Sequence, residues 1–243
     1  MTNIIIYGGA SGLALLAGAW AGIYFKFKDR IIARFMAFGA GVLICALTFG
    51  LMEQAFNHGG FDAVFLGFLL GGLMFIAGDY VIHILGGTRH RKIQHFDNNA
   101  SINGKAITMG ALLDGIPEST ALGIALFAGG GTGILMLFAI ILSNFPEGIS
   151  SISGLKKAGF STAKIISIWL IVAIILATIS VLSYVFLHDL NLNAIGAIES
   201  FAAGAILAML ANSMMPEAFE EGGPSIGMLT IFGFLTAFIL AKI

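Results

Sequence analysis

Three of the four prolines in this chain are followed by glutamate: Ile116-Pro117-Glu118, Phe145-Pro146-Glu147 and Met215-Pro216-Glu217. The first two fall near the middle of long apolar runs. Aligned, Asp114-Gly-Ile-Pro-Glu118 stands against Ser143-Asn-Phe-Pro-Glu147. Each has a polar residue at i, proline at i+3 and glutamate at i+4. Residues i and i+4 share one face of a helix. Proline has no N–H to donate, so the carbonyls of Leu113 and Leu142 lose their usual partners. The pattern predicts two kinked helices that present carboxylates, side-chain oxygens and freed carbonyls to one point.

Charges at membrane depth are costly, about 2.5–3.5 kcal/mol for an aspartate at a helix centre. Asp114, Glu118 and Glu147 repel one another unless something positive lies between them, and no lysine, arginine or histidine falls at that depth. The acids are therefore protonated, or solvated by water, or neutralised by a cation. A bound divalent ion accounts for the whole set most simply. The plainer alternative is three protonated acids that serve packing by hydrogen-bonding to helix backbones.

The elements that position these residues follow from composition. The chain is 58% hydrophobic and 10% charged, against roughly 25% charged in soluble domains. Most of it needs no water-facing surface, which predicts an all-α integral membrane protein forming one domain over residues 1–243. A helix needs about 20 residues to cross the core. Eight spans are expected, near 4–25, 31–56, 61–86, 106–128, 132–155, 162–187, 195–219 and 224–242. The first reads as a retained span rather than a signal peptide, having no basic segment before it. Eleven of the twelve basic residues fall in the connections after spans 1, 3 and 5; only Lys242 does not. That bias predicts cytoplasmic odd-numbered connections and both termini outside. The net charge of −1 gives no reason to expect nucleic acid. Cys45 is alone, so it makes no internal disulfide and fits no zinc-finger spacing.

The chain also repeats itself. Phe38–Gly60 aligns without gaps on Phe201–Gly223, 163 residues on, with nine of 23 positions identical and a shared Ala-Phe-x-x-Gly-Gly exit. One segment is span 2 and the other span 7, crossing in opposite directions. Such an inverted repeat is a transporter signature, because two similar halves allow outward-open and inward-open states of similar energy.

With these motifs in place, the chain resembles the ZIP (Zrt/Irt-like protein) family of divalent-metal transporters. That family carries a His-Asn-x-Pro-Glu-Gly type motif in span 4 and a related one in span 5. Asn144-Phe145-Pro146-Glu147-Gly148 is similar to the span 5 motif after its first position, and Ile116-Pro117-Glu118 to the core of the span 4 motif. Met215-Pro216-Glu217-Ala218 looks like the family's Pro-Glu-Ala at the end of span 7. The resemblance implies a mid-membrane metal site from Asp114, Glu118, Ser143 and Glu147, with Asn144 and the shared glutamates offered to a second site. The departures are Asp114 and Ser143, where the family has histidine, and Gly115, where it has asparagine. Gly115 supplies no ligand, so one good site is expected. The predicted shell is all oxygen, which moves weight from zinc towards manganese or iron.

Other polar positions fit a path. Glu53, Glu199 and Asp62 stand at predicted outer ends and form an acidic vestibule or ordinary interface residues. Glu217, Glu220 and Glu221 lie at the inner end of span 7, and Asp79 and His83 at that of span 3. His90, His95 and Asp97 lie in the connection between spans 3 and 4. The expected activity is uptake of a divalent cation (zinc, or manganese or iron) into the cytoplasm by alternating access. The resemblance implies that spans 1, 4, 5 and 6 move against spans 2, 3, 7 and 8. No nucleophile with a base partner is visible, so no enzyme is expected and no cofactor beyond the transported metal. Expected partners are the lipid bilayer of a cell (inner) membrane and the ion itself; a homodimer is allowed. A non-metal secondary transporter using the carboxylates as proton carriers, or a non-transporting metal sensor, stays open.

Overall fold

The computed structural model describes residues 2–84, 100–129 and 131–242. Among them every regular element is helical: α1 (Thr2–Tyr24), α2 (Asp29–Cys45), α3 (Glu53–Ile84), α4 (Ala100–Ala128), α5 (Thr132–Lys157), α6 (Thr162–Phe186), α7 (Leu192–Met209), α8 (Met215–Gly222) and α9 (Ile226–Lys242). Local signals set several ends. Ser161 Oγ accepts from the Lys164 N–H and Asn191 Oδ1 from the Ala194 N–H, capping α6 and α7. Lys156 and Lys157 close α5, where positive charge suits the helix dipole, and Gly159 at φ 79° stops it. Arg89, His90, Arg91, Lys92, His95 and Asp97 lie outside the described residues.

Six helical stretches are long and apolar enough to cross a membrane. Two of them, Asp29–Ile84 and Leu192–Lys242, contain 56 and 51 residues. Drawn straight, each would reach roughly 75–85 Å, more than twice the hydrocarbon thickness. Neither is straight. Gly60 breaks the first at φ 66°, ψ −165°, and Gly223 breaks the second at φ 66°, ψ −162°. Only glycine takes this backbone freely.

Those two glycines are 163 residues apart, so the repeat seen in the sequence recurs in the backbone. It has a second mark: α2 passes through a π-helical segment, Ala46–Met52, and α7 through Leu210–Met214. Packing supplies a third. A Cβ on Gly41 of α2 would run into the Thr230 carbonyl of α9, and one on Gly204 of α7 into the Phe68 carbonyl of α3. Likewise Gly233 abuts the Phe38 carbonyl, and Gly71 that of Phe201. Positions 41 and 204 (and 38 and 201) keep the offset of 163, while 68 and 230, and 71 and 233, differ by 162. The α2–α9 pair is thus built as the α7–α3 pair is, with one residue more after the first break. Close backbone approach at glycine is how membrane-type helices gain contact without a hydrophobic drive.

The helices form two groups. α1, α4, α5 and α6 pack around Leu15, Ile107, Ile152, Leu155, Trp169 and Leu176. α2, α3, α7 and α9 form the other group, and α4 and α5 face α2 and α7 across the seam.

Candidate functional site

The Pro-Glu motif of α5 is held by α1. A Cβ on Gly18 would run into the Phe145 carbonyl, and one on Gly148 into the Leu15 carbonyl, so α1 and α5 touch backbone to backbone on either side of Pro146. Both α4 and α5 continue as helix through their prolines. This fixes the rotation of α5 and points Ser143 and Glu147 across the seam.

There they meet α4. A small, partly open cavity is lined by Asp114 and Glu118 of α4, Ser143 and Glu147 of α5, Met36 of α2, Met209 of α7, Ser213, Met214 and Glu217. Asp114, Glu118 and Ser143 are 3%, 1% and 2% exposed. Ser143 Oγ lies 3.0 Å from Glu118 Oε1 and donates to it, with the Ile140 carbonyl as its alternative acceptor, also at 3.0 Å. Glu118 lies in the field of both the Glu147 and Asp114 carboxylates, and its Oε2 has no hydrogen-bond partner among the described residues. A buried acceptor left in that condition is expensive.

Four of the five residues expected at the site therefore share one cavity. Asn144 does not line it. One residue past Ser143, it turns roughly 100° away around the helix, and its Nδ2 donates to the Ser11 carbonyl of α1 at 3.3 Å. Gly115 faces α6, where an added Cβ would lie 2.5 Å from Leu176 Cδ1.

The sequence reading missed the far wall of the cavity. Three methionine side chains, Met36, Met209 and Met214, line it beside the carboxylates, so the expected all-oxygen surround is part thioether. Ser213 and Glu217 were legible. Ser213-Met-Met-Pro216-Glu217 repeats the polar-x-x-Pro-Glu spacing of Asp114–Glu118 and Ser143–Glu147. Three copies of one motif converge here.

A second small volume continues from the first through the shared residues Met36 and Glu217. Asp29, Ile32, Ala33, Ser150 and Glu221 complete its lining. Ser150 Oγ donates a short hydrogen bond to Glu217 Oε1. Acidic side chains thus step inward from exposed Asp29 through half-buried Glu221, Glu217 and Glu147 to buried Glu118 and Asp114. The opposite end of the seam is filled by buried apolar side chains, among them Leu47, Leu51, Leu122, Met136, Ala203 and Ile206. Among the described residues, no three His, Cys, Asp or Glu side chains are already arranged to hold a metal ion. Coordination at the cavity needs other oxygens, or rotamer changes, beside the carboxylates.

No family model matches the chain. Over 190 residues, 76% of its length, the chain is 25% identical to an Arabidopsis thaliana protein described as a "putative zinc transporter". It spans 30% of that relative's length.

Proposed function

We propose that this protein spans a membrane eight times and moves a divalent metal cation through the cleft between its two helix groups. The observation that carries the reading is Glu118: buried, facing two further carboxylates, with one oxygen unpartnered. A cation neutralises that set and satisfies the open acceptor at once. Carboxylates with thioethers suit a borderline ion better than magnesium or calcium. That supports zinc or iron(II), and the description of the Arabidopsis relative supports zinc.

The membrane reading is supported by exposed apolar faces, such as Leu66, Leu69 and Leu73 on α3 and Ile171 and Ile174 on α6. Exposed Trp20 and Tyr24 near the end of α1 suit a membrane–water interface. Eight crossings follow if each long stretch folds back at its positive-φ glycine. Asp29 and Glu221 then lie at the end rich in basic residues, the cytoplasmic one. The acidic cleft opens inward, both ends of the chain are outside, and the fold resembles the ZIP arrangement of moving and fixed helices. Uptake towards the cytoplasm by alternating access is the corresponding cycle.

The test is flux. Purified protein in liposomes should take up zinc, with Glu147→Ala reducing uptake at least a hundredfold while elution on gel filtration stays unchanged. Unchanged uptake in the variant would remove the site. Proton movement without metal movement would favour the proton-carrier alternative.

A further inference from the structure

The backbone repeat makes the two ends of the α2/α7 pair comparable position by position. At the cleft end, Met36, Glu217 and Glu221 line the opening. Their counterparts 163 residues away are Glu199, Gln54 and His58, at the opposite end. That end is shut. Glu199 is 0% exposed, and its Oε2 lies 2.9 Å from His58 Nδ1. Glu199 Oε1 and Gln54 Oε1 are both buried without a hydrogen-bond partner among the described residues. Gln54 Nε2 donates weakly to Thr132 Oγ1, at 3.4 Å, at the start of α5.

We propose that His58 and Glu199, with Gln54, form an outer capture site for the divalent cation, used before it reaches the Glu118 cavity. This rests on the transport reading above. The donors suit the cargo: imidazole nitrogen and carboxylate oxygen both bind zinc at about 2.0–2.2 Å. Two such ligands on a tetrahedral ion stand about 3.3 Å apart, so the pair needs to open by only a few tenths of an ångström. Metal binding at Nδ1 releases any proton held there. Gln54 precedes His58 by four residues and shares its helix face, placing an open amide oxygen on that side. His58 keeps 28% of its side chain exposed, which gives an ion from outside something to meet. Met209, at the cavity, is ten residues further along α7 from Glu199, about 15 Å. The apolar side chains of Leu47, Leu122, Ala203 and Ile206 fill the space between. In an alternating-access cycle the two ends exchange roles. The outer triplet becomes the lining of an open vestibule when Met36, Glu217 and Glu221 close together.

The experiment measures initial zinc uptake by full-length protein in liposomes against external zinc. His58→Gln should raise the half-saturating concentration about tenfold, with a much smaller fall in the rate at saturating zinc. His58→Cys, which restores a zinc ligand, should return half-saturation to within threefold of wild type. If His58→Gln saturates as wild type does, or His58→Cys behaves as His58→Gln does, the outer site is refuted while the transport reading stands. If the wild type moves no metal, the transport reading falls and takes this site with it.

Discussion

Ser143 Oγ, on α5, donates to Glu118 Oε1, on α4, across 3.0 Å at the buried centre of the cavity. That bond joins the two Pro-Glu motifs and leaves Glu118 with its other oxygen open. Ser143→Ala removes the donor and leaves the carboxylate less supported, a loss of about 1–3 kcal/mol for a buried acceptor. Zinc uptake should fall roughly tenfold. Ser143→His puts an imidazole at the same place and should move preference towards zinc over manganese. Competition between the two metals in the flux assay reads this; an unaltered preference would show that position 143 does not face the ion.

The glycine contacts between helix pairs predict matched sensitivities. Gly41→Ala and Gly204→Ala each force a methyl group into a carbonyl oxygen of the neighbouring helix. Overpacking of this kind costs about 1–3 kcal/mol. Both variants should melt several degrees below wild type in detergent, and by similar amounts. Gly227→Ala, with nothing within 4 Å of the added atom, should melt as wild type does. A large difference between the first two would argue against equivalent halves.

Folding back at Gly60 is open to chemical labelling. In a Cys45→Ala background, Asn57→Cys, which is exposed beside the break, should react with an impermeant thiol reagent from outside intact cells. Lys28→Cys, in the exposed turn between α1 and α2, should react only after the membrane is opened. Labelling of both from the same side would rule out the proposed topology.

Glu217 joins the two volumes of the cleft. Glu217→Gln keeps the shape and the Ser150 contact but removes a negative charge from the path, so uptake should slow several-fold. A rate equal to wild type would place the ion's route elsewhere.

How much of this could be read from the sequence depends on the range of the interaction. Helix positions, the i, i+4 pairing of Asp114 with Glu118 and Ser143 with Glu147, and the repeat ending at Gly60 and Gly223 are local, and the chain states them directly. The count of spans is less direct. The helix carries on through Gly59 without a loop, and the sequence marks the break at Gly60 by the polar stretch from Glu53 to Asp62. The contact of Asn144 with α1 was not legible, because a motif gives spacing whereas its partner Ser11 is 133 residues away. Met36 and Met209 reach the cavity only because the two helix groups dock along one seam, which no single-helix pattern encodes. The His58–Glu199 pair, 141 residues apart, is hidden for the same reason. The third copy of the motif, Ser213 to Glu217, was there to be read. Its Pro216-Glu217 was read and placed at the inner end of span 7; only Ser213, four residues before Glu217, went unpaired with it.

In the proposed cycle Asp114, Glu118 and Glu147 hold the cargo ion between the helix groups. Anomalous diffraction from crystals soaked in cadmium tests it most directly. A peak is expected within about 2.5 Å of carboxylate oxygens from both α4 and α5, absent in Glu147→Ala crystals soaked alike. Cadmium bound only elsewhere, or a cavity peak that persists in the variant, would contradict it.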